Sequence, residues 1–473
     1  MAIFFKEGET KIRPGIYQRY ENIGWDELAK ARDGLCAIPI RASWGPIGQV
    51  VKNRRASDLT KNYGTGEYGE NYTVPAAEAM FKGGAINVYT YRMGSGGSKS
   101  ALQLAEGLFV LGKYEGTLQI NIAIQQSLVD STKKQILVYT GTVLVETISF
   151  AADGVKEGEN LAKAVAKRSS YIEVYGDADV VPITPVASGA LTGGADPKVT
   201  YEDYSKAFVA FEPYYYNTIA LDVDDDEDMT LSLMLKEYLD AAYEMGKLGI
   251  AVVGQKTTEP FNFRLQNAKM FDDYKVVFLG GGYMEGAENK DGVMAICYTA
   301  GLIAATPSNK GITRAVIKGA TDLCETLSYA QYEEAILGGM LMLSMSQDGE
   351  IWYDAGINTW TSEPDQIDDA GWRKIRRTKV RFEMFDRLDR TLNPKVGRIS
   401  ADSDGVSDVI QAGQRILDAM ANDEGKLFSG PKFVEDPDRP FEADSAWFLI
   451  QADDIDSLEK IYLRYQFRYT QNS

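Results

Sequence analysis

Six acids in a seven-residue stretch, Asp222, Asp224, Asp225, Asp226, Glu227 and Asp228, are the densest set of side chains able to hold a hard cation or move a proton. An apolar run at 217–223 reads as a strand ahead of them. An amphipathic helix follows at 229–247, with Leu231, Leu235, Leu239 and Ala242 on one stripe. Ligand sites of α/β sheets gather at the carboxyl ends of strands, so a metal-dependent α/β enzyme using 222–228 with Mg²⁺ or Ca²⁺ is one reading. The calcium-loop pattern fails, because its sixth position is not glycine. The other reading needs no ligand: acids before a helix cap its free amides and suit its dipole. On that reading, Asp224→Asn with Asp225→Asn costs little stability.

The remaining chemical motifs are weaker. Gly64, Gly66 and Gly69 spell G-x-G-x-x-G but follow a helix rather than a strand, which is the wrong context for a dinucleotide. Gly94 to Ser100 ends in Lys99-Ser100 but has Ser98 where a phosphate loop needs glycine, and it reads as a flexible linker. Gly280, Gly281 and Gly282 read as a tight turn, and Cys324-Glu325 has no base in view. Histidine is absent, which removes Ser-His-Asp and Cys-His catalysis and histidine zinc sites. Cys36, Cys297 and Cys324 have no metal-ligand spacing and read as reduced thiols of a protein made in a cytoplasm. The expectation is no cofactor, no metal and no enzymatic activity.

One segment concentrates positive charge in a chain of net charge −18: Arg373, Lys374, Arg376, Arg377, Lys379 and Arg381, with no acid among them. On a helix expected over 372–388, Ile375, Phe382, Phe385 and Leu388 face a core. Arg373, Arg377 and Arg381, at spacings of four, line one polar flank. Its partners are either the chain's own acids or acidic groups on another subunit or protein. The overall acidity argues against nucleic acid as a partner, and no run reaches the ~18 apolar residues of a membrane span. The first residues lack the pattern of a signal peptide.

The elements that must position these residues are those of an α/β (α+β multidomain) protein. Strands alternate with helices from 192 to 305, which implies a central, mostly parallel sheet with helices on its faces. The stretch 98–189 changes to alternating segments and reads as a β-rich insertion domain on the outer surface. The α/β domain is then 25–97 with 190–337. A further domain spans 338–458, including a hairpin about Asp348-Gly349 and helices at 372–388 and 406–421. The end, 459–473, carries the strongest strand signal of all. Ile461, Leu463, Tyr465, Phe467 and Tyr469 alternate with Tyr462, Arg464, Gln466 and Arg468. Near the other end, Pro14 and Gly15 bend into a short strand over 16–20 containing Ile16, Tyr17 and Tyr20. A strand at a chain end either closes its own sheet or is donated to a neighbour.

Several short segments, in order and spacing, resemble the tail sheath proteins of contractile phage tails and related bacteriocins. They are Arg13-Pro14-Gly15-Ile16-Tyr17, Trp44-Gly45-Pro46-Ile47, Phe81-Lys82-Gly83-Gly84-Ala85 and Lys113-Tyr114-Glu115-Gly116-Thr117. Further along come Leu191-Thr192-Gly193-Gly194-Ala195-Asp196, Ala300-Gly301-Leu302-Ile303-Ala304 and Gly356-Ile357-Asn358-Thr359. The resemblance implies a structural subunit, assembled in a host bacterial cytoplasm into the tail of a virion or bacteriocin particle. It implies a homo-oligomer of stacked hexameric rings around a tail tube protein, with baseplate and tail terminator proteins as further partners and no membrane insertion. It implies that 1–24 and 459–473 are arms completing a sheet of the C-terminal domain in neighbouring subunits, and that contraction drives the tube through a cell envelope. The 373–381 flank then becomes a candidate contact to the tube or to another subunit, with 406–421 as runner-up for the tube. Another self-assembling virion protein of a tube or capsid remains the alternative.

Overall fold

The structure, a computed structural model, describes residues 3–4, 17–18, 29–224, 228–362, 370–439, 442 and 444–467. Its centre is a seven-stranded sheet in the order Met340–Leu341, Val276–Leu279, Ile250–Gly254, Thr218–Ala220, Leu35–Ile40, Asn87–Arg92, Val50–Asn53. All neighbours are parallel except the last pair. Parallel strands need crossovers, and helices supply them on both faces, so the strands are buried apolar runs. Alternation sorts their side chains. Ile38, Val252 and Val277 enter one core with helices Val74–Gly83 and Val293–Ala305. Ala37, Ala251, Val253, Val276 and Phe278 enter the other, with helices Tyr201–Phe211, Thr230–Glu244 and Phe261–Phe271.

Two glycines set how closely the first pair of helices packs. A Cβ on Gly83 would lie 2.1 Å from the Tyr298 carbonyl oxygen, and one on Gly301 would lie 2.0 Å from that of Met80. The segments 81–85 and 300–304 are therefore two halves of one backbone contact.

The β-rich insertion is a body with its own core. Val143–Ala151, Lys133–Thr140, Ile120–Gln126 and Val186–Ala190 form one antiparallel sheet. Ile172–Gly176, Leu108–Gly112 and Ala101–Ala105 form another. Leu108, Val110, Ile122, Ile136, Val138 and Leu161 of the helix Glu157–Arg168 fill the space between them. The flexible linker expected from Gly94 is instead ordered. Ser95 and Lys198 exchange two backbone hydrogen bonds at 3.0 Å, and Ser98 pairs with Ala195 and Ala101 with Thr192 in the same way. Gly94 and Gly96 adopt positive φ, 108° and 73°, so here glycine serves a tight crossing rather than mobility.

The boundary expected at 338 shifts toward the C-terminus. Met340–Leu341 is an edge strand of the central sheet. The hairpin Leu343–Met345 with Ile351–Tyr353 buries Leu343, Ile351 and Tyr353 in the core of the first face. A separate core begins with helix Ile375–Leu392, where Val380 and Leu388 meet Ile416 and Leu417 of helix Ser403–Asp418, together with Met420, Leu427 and Phe433. A two-stranded sheet, Lys432–Glu435 with Phe448–Gln451, completes it. Among the described residues no helix is long and apolar enough to cross a membrane.

Candidate assembly site

Helix Ile375–Leu392 carries the positive segment, and the structure gives most of those cations partners in the acidic connection after Gln451. Arg377 donates to Asp454 through Nε at 2.6 Å and Nη2 at 2.7 Å. Arg381 reaches the same carboxylate at 3.1 Å and lies 4.1 Å from the Trp372 ring centroid. Lys374 pairs with Glu459, which also accepts from the Thr313 hydroxyl at 2.7 Å. Arg376 donates to the Ser457 hydroxyl at 3.1 Å. Arg373 donates to the Thr361 carbonyl at 2.6 Å. Burial pushes the Asp454 carboxyl up, but its bonds to Arg377 and Arg381 outweigh that and hold it below the usual range.

Lys379 is not on the flank. At four residues from Ile375 and three from Phe382 it shares their buried stripe. Its ammonium donates to the carbonyls of Ile303 and Thr306 at the C-terminal end of helix Val293–Ala305, where the dipole favours a cation. Burial lowers its pKa to about 8 against the opposing pull of Asp33 and Glu383. Phe385, expected in the core, is 36% exposed.

The chain leaves this anchor at Lys460. Ile461, Leu463, Tyr465 and Phe467 are 69%, 70%, 72% and 91% exposed, and 461–467 pair with no strand among the described residues. Tyr469 lies outside the described residues, as do Pro14, Gly15, Ile16 and Tyr20. The backbone of Tyr17–Gln18 pairs in parallel with Ile3–Phe4.

The acids of 222–228 go to structural partners. Asp222 is fully buried and accepts from the Tyr204 hydroxyl and the Thr73 hydroxyl, each at 2.7 Å, with Arg41 at 3.6 Å. Asp224 accepts from the Val293 amide at 2.7 Å and pairs with Lys256 at 2.7 Å, so it caps a helix other than the adjacent one. Asp228 accepts from the Thr230 amide at the start of its own helix. Asp225, Asp226 and Glu227 lie outside the described residues.

Sequence reading missed one joint. Arg92 is completely buried, and its guanidinium donates to the carbonyls of Ala42 (2.8 Å), Gly45 (2.6 Å) and Glu115 (2.9 Å). Burial lowers its pKa to about 10. Asp196 beside it accepts from Thr117 and Ser43, and Trp44 packs edge-on against Tyr114 at 5.1 Å. The segments 44–47, 113–117 and 191–196 thus meet at the seam between body and insertion. Likewise Asn358 of 356–359 donates to the carbonyls of Tyr274 and Trp372, fixing the approach to helix Ile375–Leu392.

Residues 197–359 match the family model of the phage tail sheath protein central domain. Phage-like element PBSX protein XkdK of Bacillus subtilis (strain 168) is 25% identical over 380 residues, which cover 76% of this chain and 76% of that protein. The sheath tail protein of Listeria innocua has the same fold, at TM-score 0.71 and 20% identity over 91% of this chain and 97% of that one. The helical sheath of the anti-feeding prophage in its contracted state aligns at TM-score 0.52 and 11% identity over 97% of this chain and 99% of the other.

Proposed function

We propose, from the premise that this chain carries the phage tail sheath central domain within a tail sheath fold, that it forms stacked hexameric rings around a tail tube and contracts to drive that tube through a cell envelope. The observation that carries the reading is the end of the chain. Four apolar side chains alternate over 461–467, most of their surface is exposed, and the segment follows a rigid anchor. A segment with an alternating apolar face and no strand partner among the described residues of its own subunit is matched by a sheet edge in another copy, and backbone pairing plus aromatic burial would hold the lattice. The N-terminal segment containing Pro14, Gly15, Ile16, Tyr17 and Tyr20 is proposed as the second arm.

The flank of Lys374, Arg376, Arg377 and Arg381 is proposed as the anchor of the C-terminal arm rather than as a contact to the tube, because Glu459, Ser457 and Asp454 occupy it. The tube contact falls to helix Ser403–Asp418, whose Ser407, Asp408, Gln411 and Arg415 face solvent. Baseplate and terminator proteins would cap the particle, a phage or bacteriocin tail assembled in the bacterial cytoplasm. No catalytic role is proposed, since Asp222 and Asp224 are engaged with Tyr204, Thr73 and the Val293 amide. Negative-stain microscopy of the purified chain tests the reading. Wide, hollow, striated cylinders are expected, and closed shells would replace it with a capsid.

A further inference from the structure

The segment that follows the proposed N-terminal arm is fixed to the same helix as the C-terminal one. Asp386, in the second half of Ile375–Leu392, pairs with Arg32, whose guanidinium also lies 3.7 Å from the Tyr215 ring centroid. Arg390, one turn on, holds Asp386 at 2.8 Å and donates to the Lys30 carbonyl. In the first half, Arg377 and Arg381 hold Asp454 and Lys374 holds Glu459. Arg377 and Asp386 are about 13 Å apart along the axis and, at about 100° per residue, point to opposite sides of the helix. Between them Phe382 buries the helix in the core of the body and Val380 buries it in the C-terminal core. Nearly all of the chain lies between the two roots in sequence, yet one helix separates them in space.

We infer that helix Ile375–Leu392 transmits force between the roots of the two chain ends. Tension at the N-terminal root enters through Arg32 and Asp386, runs along the helix and leaves through Arg377 and Asp454. Arg32 lies three residues before the central strand Leu35–Ile40, and its carbonyl accepts from Asn217 at 2.7 Å, so the pairs on the helix must yield before tension at the N-terminal root reaches the sheet. Arginine–carboxylate pairs suit the task because their paired hydrogen bonds are directional and charge-assisted. The use of this path in a lattice rests on the arm reading above, but the path itself is a property of one subunit.

The full chain can be pulled in optical tweezers from handles at Ala29→Cys and Lys460→Cys in a Cys324→Ser background, since Cys36 and Cys297 are buried. The first rupture is expected to release a few residues at the roots before the body opens. Asp386→Asn and Arg377→Gln should each shift that rupture to lower force, and the swap Arg377→Asp with Asp454→Arg should restore it relative to Arg377→Asp alone. Arg32→Gln, at a more exposed position, stands in if Asp386→Asn does not fold. An unchanged first rupture in both single variants, or a body that opens before the roots, overturns the inference. Anchor-dependent rupture in a chain that forms no sheath would keep the load path and remove the arm reading. Sheaths built from subunits with anchor-independent rupture would do the reverse.

Discussion

Arg377 grips Asp454 with two parallel hydrogen bonds, 2.6 and 2.7 Å, and the carboxylate side chain is only 7% exposed. Arg381 shares the same carboxylate, so one acid bridges two guanidinium groups of a six-cation segment and offsets one of their charges. Asp454→Asn removes the charge and leaves both arginines short of an acceptor, a loss of about 1.5–3 kcal/mol of attachment. It should raise hydrogen exchange of amides 454–467 while helix Ile375–Leu392 stays protected. The acid's pKa is lowered in the fold, so its stabilisation is present above its unfolded value and disappears as pH falls through the folded one. Exchange that rises equally across the whole chain would mean that Asp454 supports the body instead.

The second prediction separates the anchor from the arm. Ending the chain at Lys460 removes only residues that are exposed and unpaired among those described, so the melting temperature should hold while assembly is lost. Ending it at Leu458 also removes Glu459, the partner of Lys374 and Thr313, and should loosen residues 453–458. Sheaths of normal length from the chain ending at Lys460 would show that the C-terminal strand is dispensable.

What the sequence disclosed and what it hid follow from the range of the interactions. The parallel sheet was legible because both of its faces are apolar over runs such as Ile250–Gly254, and the insertion because period-2 alternation marks its strands. The alternation over 461–469 was legible as a pattern, but 461–467 pair with no strand among the described residues, so linear spacing alone could not name a partner. The six cations were read as one patch because linear spacing shows charge and not partner. Lys379 could have been separated from them, since it falls on the stripe of Ile375 and Phe382. Asp386 and Arg32 meet across 354 residues, and no local pattern links them. Arg92 reads as the end of a strand, and only folding brings three carbonyls onto its guanidinium.

The third prediction concerns the insertion. Joining Ala101 to Thr192 by a short turn keeps the paired crossing but removes the Glu115 carbonyl from Arg92 and uncovers Trp44. The body should fold with a loss of about 1–3 kcal/mol from the unmet guanidinium donor. Adding Trp44→Gln should reduce aggregation without recovering that loss. Full wild-type stability after excision would mean that solvent replaces Glu115 freely.

The fourth prediction corrects the expectation that removing the Asp224 charge costs little stability. Its side chain is 7% exposed, accepts from the Val293 amide and pairs with Lys256. Asp224→Asn should lower stability by about 1 kcal/mol through loss of a charged helix cap, read by urea denaturation. A change within roughly ±0.5 kcal/mol, the scatter of a surface substitution, would mean that neither the cap nor the Lys256 pair contributes.

The last prediction uses Lys379. Below pH 8 its ammonium is charged in both folded and unfolded chains, and folding bears the cost of burying it. Its folded pKa is about 8 and its ordinary value 10.5. Between those values the folded amine is neutral while the unfolded one still binds a proton, so its contribution to stability rises with pH by up to about 1.4 kcal/mol per unit. Cys36 acts in the opposite sense. Burial raises its thiol to about 12, so above the ordinary thiol value only the unfolded chain ionises and stability falls. Lys379→Met separates the two effects, because both proteins keep Cys36. It also leaves the carbonyls of Ile303 and Thr306 without a donor, a penalty that does not change with pH. The stability difference between wild type and variant should therefore move in favour of wild type by about 1.6 kcal/mol from pH 8 to 9.5. Guanidinium titrations at those two pH values measure it. A constant difference would place the folded amine's pKa near its ordinary value, and the ammonium would then stay charged on the end of helix Val293–Ala305 throughout.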